Sequence, residues 1–292
     1  MEKKLEGNYI RKVLAIAKKE ILEWILDSRH LVLVCSYIVI YEKIVKELLE
    51  MSEKINEPIN ILEPFIALSG NGYAAVLLPV VFLILISDFP KIDGNMQFYI
   101  IRTGKVKWLL GQIIFAVFVS AGYTFVTFLV MCLIAAPHAY AGNVWSDVVT
   151  KYYLYFPNEK DGIENSLING TLYNQKSPIQ AFCHTFFLFF LLLFLLCMIC
   201  LFGFVISKKI ECIFLSGFLI VLGGITVYED WKCKWYLPIV HTMVWQHYHP
   251  VLKKEIVSLW NSYLYFIVMI MILILLVFLG IKKKNFERVE EV

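Results

Sequence analysis

The sequence predicts an all-α polytopic membrane protein, with six transmembrane helices preceded by an amphipathic N-terminal elbow helix. Three observations carry this. Of the 292 residues, 59% are hydrophobic, against about half in soluble chains. The apolar residues gather in runs of about 20, the length that crosses a hydrocarbon core of about 30 Å. Lys and Arg concentrate between alternate runs. One membrane domain over residues 1–292 accounts for the whole chain.

Taken in order, residues 8–29 form the elbow. Ile10, Val13, Leu14, Ala17, Ile21, Trp24 and Ile25 recur at helical spacing, with Arg11, Lys12, Lys18 and Lys19 off that face, as in a helix lying on a membrane surface. Asp27-Ser28-Arg29 then turns the chain into a six-span bundle over 31–281. The first span starts near Leu31, but its clean apolar stretch ends at Tyr41, only about 16 Å on. It must continue through Ile44, Val45, Leu48 and Leu49, with Glu42/Lys46 and Lys43/Glu47 pairing at i, i+4. An acidic segment, Glu50–Glu63, follows. Span two is Phe65–Ser87, with a kink expected at Pro79.

Span three covers Leu109–Ala136, and residues 137–180 form the largest outer loop. Within it, Val144-Trp145, Val148-Val149 and Tyr152-Tyr153 have the spacing of an amphipathic helix in the aromatic belt. Asn169-Gly170-Thr171 has the form of a glycosylation acceptor. Spans four, five and six are Ala181–Ile206, Ile213–Tyr228 and Asn261–Ile281. Residues 229–260, with Trp231, Trp235, Trp245, Trp260, Pro238 and three histidines, are expected to lie at the outer interface or dip into it.

Charge sets the expected orientation. Of the 27 Lys and Arg, seven lie in residues 1–30, four in 88–108, two in 207–211 and four in 281–292. These short segments therefore face the cytoplasm, with both termini inside. Residues 1–30 lack a continuous apolar core, so no cleavable signal peptide is expected. The seven cysteines are odd in number and mostly inside apolar runs, which does not make a disulfide framework. Cys197-x-x-Cys200 has redox spacing but sits among apolar residues, where a thiolate is disfavoured.

The chain is organised around Asp88–Trp108, a polar, basic stretch between two apolar runs. Pro90 cannot continue the preceding helix. Asp93-Gly94 is a turn, and Asp93 or Asn95 can cap a short helix over Asn95–Ile101. That helix carries Met96, Phe98, Tyr99, Ile100 and Ile101. Thr103-Gly104 ends it, with Arg102, Lys105 and Lys107 beside it. It reads either as a docking knob or as a loop whose aromatics rest on lipid headgroups.

Other chemistry is excluded or weak. Thr103-Gly104-Lys105-Val106 lacks both the preceding glycine and the following hydroxyl of a phosphate-binding loop, so no nucleotide site, metal or cofactor is expected in this chain. His241, His247 and His249 are close in sequence, but no acidic residue or cysteine clusters with them. The interiors of spans two to six hold no Asp, Glu, Lys or Arg. Such charges cost at least about 2.5–3.5 kcal/mol at a helix centre and are normally kept for a function. Ion-coupled carriers and intramembrane metalloproteases are therefore disfavoured, and no catalytic constellation for an enzyme is visible.

Elbow helix, six spans and cytoplasmic termini together resemble the permease subunits of type-2, exporter-class bacterial ABC transporters. The residues carrying the resemblance are Asp88-Phe89-Pro90, Asp93-Gly94, Tyr99-Ile100-Ile101-Arg102-Thr103-Gly104 and Lys107-Trp108-Leu109-Leu110-Gly111-Gln112. Leu237-Pro238 with His241, and Lys283-Lys284-Asn285-Phe286, extend it. The acidic segment Glu42–Glu63 has no counterpart in that pattern. The resemblance implies a coupling helix in the 88–108 loop, docking on a separate ATP-binding subunit through Asp93, Gly94, Met96, Phe98, Tyr99, Arg102, Gly104 and Lys105. It further implies an outer re-entrant segment around Pro238 and His241, a homodimer or heterodimer of permeases in the bacterial cytoplasmic membrane, and ATP and Mg bound by the partner. No nucleic-acid partner is expected. The alternative is a non-transporting immunity or sensor-anchoring subunit.

Overall fold

A computed structural model describes residues 2–91, 100, 102–157, 167–249, 252 and 254–284, with side chains from residue 9 onward. Among the described residues the structure is mainly helical. Helix α1 (Glu2–Ile25) runs into a turn, and α2 (His30–Ile40) continues through a π-helical turn, Tyr41–Val45, into α3 (Lys46–Ile55). Residues 30–55 are thus one helical run of about 39 Å. The two short strands β1 (Ile59–Asn60) and β2 (Ala139–Tyr140) pair in parallel. Helices α4 (Glu63–Gly70), α5 (Gly72–Leu85), α6 (Lys105–Ala135) and α7 (Asp147–Tyr155) follow. A one-turn helix at Gly170–Tyr173 precedes α8 (Pro178–Val205) and α9 (Lys209–Tyr228). Three 3-10 turns lie within residues 232–247, and α10 (Leu259–Lys283) closes the described chain.

Among the described residues, four helices, α6, α8, α9 and α10, are long and apolar enough to cross a membrane, or five if the bent pair α4–α5 is one span. In α8, 78% of the apolar window is buried inside the protein, against 39% in α6, 28% in α9 and 22% in α10. Helix α8 is therefore the axis, with α6, α9 and α10 packed around it, and the other three turn apolar faces outward. Close approach is made at small residues, as expected where apolar burial gives little drive between helices. A Cβ at Gly203 of α8 would stand 2.6 Å from that of Cys212 on α9.

The bundle has two ends. The basal end gathers the α1–α2 turn, residues 86–91 and 102–105, the α8–α9 turn and the end of α10. The apical end gathers β1, β2, α4, α7 and residues 229–249. Pro79, where a kink is expected, lies inside α5, and a separate 93° bend falls between α4 and α5. Asn71 causes it. Its backbone is extended, which stops α4, and its side chain accepts from the N–H groups of Tyr73 and Ala74, which caps α5. The expected amphipathic loop helix starts later, at Asp147, because Ser146 is its N-cap and Val144-Trp145 precede it.

One buried carboxylate joins the apical end. Glu63 is fully buried and accepts from Asn60 N (2.9 Å), Ser146 N (2.8 Å) and Ser146 Oγ (2.8 Å). It thereby ties the start of α4 to β1 and to the cap of α7. Asn60 completes the joint by donating to the carbonyls of Gly142 and Val144. We predict that Glu63→Gln, whose amide NH₂ cannot accept these bonds, destabilises the protein by about 1–3 kcal/mol through buried donors left unpaired. A thermal-unfolding midpoint in detergent equal to that of the parent protein would refute the joint.

Candidate functional site

At the basal end, the short turn after α1 places Asp27 and Arg29 against the chain leaving α5. The Arg29 guanidinium donates to Asp27 through Nε (3.0 Å to each oxygen) and Nη2, to Ser87 Oγ through Nη1 (2.7 Å), and to Asp88 Oδ2 through Nη2 (2.7 Å). The planar guanidinium presents five N–H donors in a rigid fork, where an ammonium presents three on a single atom. The hydrogen bond from Arg29 is the main reason the Asp27 carboxyl is held down at about 2. Asp27 also accepts from the Arg29 backbone N–H at 2.9 Å, so the clamp is built on a locally fixed turn.

Further groups brace the same segment. Phe89 is buried and stacks on Phe115 of α6, with ring centroids 5.0 Å apart. Lys209, at the start of α9, donates to the Pro90 carbonyl at 3.4 Å, and Lys91 lies 3.8 Å from Glu23 of α1. Between α1 and this segment is a small open cleft whose lining includes Glu20, Glu23, Asp27, Arg29, Asp88 and Lys91.

Helix α1 packs along the first half of α6. A Cβ at Gly111 would meet Ile16 at 2.7 Å, so glycine lets the two helices touch. Gln112 donates to Glu20 at 3.2 Å inside that interface. Here the expected amphipathic pattern is corrected. Helix α1 starts at Glu2 and ends at Ile25 instead of spanning 8–29. Its buried face is Val13, Ile16, Ala17 and Glu20, while Ile10, Leu14, Leu22 and Ile25 are exposed. The helix thus has two faces, one for α6 and one left free.

Of the residues assigned to coupling, Asp93, Gly94, Met96, Phe98 and Tyr99 lie outside the described residues. Arg102 is exposed, in a short helical segment. Gly104 has φ +89°, which only glycine adopts without strain, and its N–H donates to Ile100 O at 2.8 Å. Ile100 itself is buried, so it belongs to the core and not to any exposed knob. Lys105 Nζ donates to the Lys284 carbonyl at 2.6 Å, and Lys284 Nζ donates to the Phe204 carbonyl. The two ends of the loop are therefore fastened to α1, α6, α9 and the end of α10.

Pro238 and His241 stand in the apical segment. His241 is buried and hydrogen-bonded to Ser262 and the Trp235 carbonyl. Among the described residues, no three His, Cys, Asp or Glu side chains converge in a way that could hold a metal ion. The sequence reading missed the Arg29 clamp and Glu20. Asp27-Ser28-Arg29 carried a turn signal only, and a lone Glu on an amphipathic helix reads as solvated. Protein-family models, curated proteins and solved structures offer no match to this chain.

We predict that Arg29→Ala frees the segment leaving α5. Amide hydrogen exchange in peptides covering residues 86–91 should speed up about fivefold, equivalent to about 1 kcal/mol of lost local stability. Arg29→Lys should lie between, since it keeps the charge without the fork. Unchanged exchange in Arg29→Ala would show that the clamp restrains nothing.

Proposed function

We propose that this chain is the membrane-spanning permease subunit of an ABC-type transporter, most consistent with an exporter, driven by a separate ATP-binding subunit. The observation carrying this reading is the bracing of residues 86–105 at both ends. A loop that receives force from a soluble partner must pass it to the bundle without absorbing it. Arg29, Lys209, Lys105 and the buried Phe89 and Ile100 hold this loop against four helices. An exposed Arg102 lies beside the expected helix. In this reading the chain performs no catalysis and binds no nucleotide; the partner holds ATP and Mg.

Six crossings follow on this reading: residues 30–55, the bent α4–α5 pair, α6, α8, α9 and α10. An even number puts both termini on one side, in keeping with the basic residues gathered at the basal end, which is then cytoplasmic. Helix α5 alone covers about 21 Å, so the second crossing is thin, with α4 folded over at the outer surface. Residues 229–258 then form the outer segment around Pro238 and His241. The exposed faces of α9 and α10 meet lipid or a second permease, the same chain or a related one, in a bacterial cytoplasmic membrane.

Two measurements test the reading. Buried aromatic anchors commonly contribute about 2 kcal/mol or more to an interface. Phe98→Ala and Tyr99→Ala should therefore weaken capture of the ATP-binding subunit by more than about tenfold, with normal membrane insertion. Arg102→Glu should lower stimulated ATP hydrolysis through lost charge complementarity. Equal capture and equal stimulation for all three variants would favour the immunity or sensor-anchoring alternative. Separately, Cys233 is exposed and should react with a membrane-impermeant thiol reagent on intact cells; reaction only after permeabilisation would reverse the orientation.

A further inference from the structure

Three elements of the apical end meet at one serine. Ser262, in the first turn of α10, is fully buried. Its Oγ lies 2.7 Å from His241 Nδ1 and 2.7 Å from His247 Nε2. The far nitrogen of each ring faces a backbone carbonyl: His241 Nε2 is 3.0 Å from Trp235 O, and His247 Nδ1 is 3.2 Å from Met243 O.

The hydrogens in this chain do not balance when both imidazoles are neutral. Four contacts need four hydrogens. Each neutral ring supplies one and the hydroxyl one, which leaves one contact with none. Carbonyls only accept, so a ring nitrogen facing one must carry hydrogen. If both rings satisfy their carbonyls, both turn a lone pair toward Ser262, and its single hydrogen can reach only one. The other neutral arrangement leaves a carbonyl opposed by a lone pair. The longest contact, His247 Nδ1 to Met243 O, is then the one that lacks its hydrogen. His247 Nε2 donates to Ser262 Oγ, Ser262 donates to His241 Nδ1, and His241 Nε2 donates to Trp235 O.

We propose that His241, Ser262 and His247 form a binding site for a single proton, taken up at Nδ1 of His247. One added hydrogen at that atom completes all four contacts. A second has no acceptor, because His241 Nδ1 already receives the serine hydrogen. The surroundings suit a delocalised cation. The Trp235 ring lies 5.2 Å from the His247 ring, which takes the charge.

The titratable groups on the packed elements do not replace the proton. His184 of α8 is occupied with Tyr263 OH at 3.0 Å. Lys234 is directed to Gln246 and Asp230, and Lys176 lies over the Tyr248 ring. Glu63 is held by Ser146 and Asn60, while Tyr173 belongs to the one-turn helix packed nearby and Glu255 to the bridge with Tyr248. Burial pushes both imidazoles down, to about 4, against the backbone carbonyls that raise them. The missing hydrogen opposes that push for one ring only. Bound proton ties the turns carrying Trp235, His241 and His247 to α10 through a complete chain of hydrogen bonds.

The test needs neither a partner subunit nor a transport assay. The full chain, ¹⁵N-labelled at histidine and held in lipid nanodiscs, is titrated from pH 8.5 to 4.5, and the imidazole nitrogens are followed by NMR. His247→Gln assigns the His247 signals. We expect His247 to become doubly protonated with a midpoint above pH 5, while His241 stays neutral with hydrogen on Nε2. Ser262→Ala removes the conflict, since each ring can then keep its carbonyl bond while neutral. Its midpoint should fall by at least one pH unit, a tenfold loss of proton affinity. Ser262→Thr, which retains the hydroxyl, should titrate as the parent does. The site is refuted if His247 stays neutral to pH 5 in the parent protein, if both rings protonate together, or if Ser262→Ala titrates unchanged. Should Ser262→Ala fail to assemble, the parent and Ser262→Thr titrations decide.

Discussion

Close packing against α8 is what the rest of the structure depends on. Hydrocarbon gives an apolar side chain little reason to leave lipid for protein, so helices in a membrane associate through fit. Helix α8 is apolar on every side, from Phe186 through Phe204, and most of it is enclosed. Helices α6, α9 and α10 each spend one face on it. Their remaining faces are apolar and exposed, with Phe118, Phe214 and Leu275 as examples. An apolar surface of this kind is compatible only with lipid or with another membrane protein.

With the interior closed to charge, polar work is displaced to the two ends, and the ends are built differently. At the basal end the contacts are ionic and partly exposed: Arg29 with Asp27 and Asp88, Lys91 with Glu23. Each exposed pair contributes little by itself, but together they converge on one segment. At the apical end the polar groups are buried and mutually hydrogen-bonded, as around Glu63 and around Ser262. Buried networks tolerate few alternative arrangements.

Much of the bundle was legible in the sequence because its signal is composition over 20 residues, which survives errors in detail. The elements now seen as α6, α8, α9 and α10 start within a few residues of the expected spans. What could not be read is tertiary. Asn71 decides the sharp bend, yet Gly-Asn-Gly inside an apolar run looks milder than Pro79. Glu20 looks solvated until Gln112, 92 positions later, is placed against it. Ser262 is an ordinary serine near a helix start until two turns from 241 and 247 fold onto it. Arg29 counted as one positive charge among 27, and its meaning lies in meeting Asp88 across 59 residues.

The clamp and the α1–α6 contact belong to one mechanical unit. Helix α1 is held to α6 at Gly111 and Gln112, and its last turns reach the cleft that Asp88 and Lys91 line. The chain leaving α5 is stacked on α6 through Phe89 and Phe115. A displacement of the 86–105 segment must therefore either break these contacts or carry α1 and the first half of α6 with it. Breaking them exposes Phe89 and unpairs Arg29 from Asp88 and Ser87, whereas carrying them slides α1 along its free face and shifts α6 against α8. The second route is cheaper wherever the exposed face of α1 rests on lipid. On the proposed reading, this makes the elbow a passenger of the loop. It also explains why α1 has one face shaped for α6 and another, Ile10, Leu14 and Ile25, left bare.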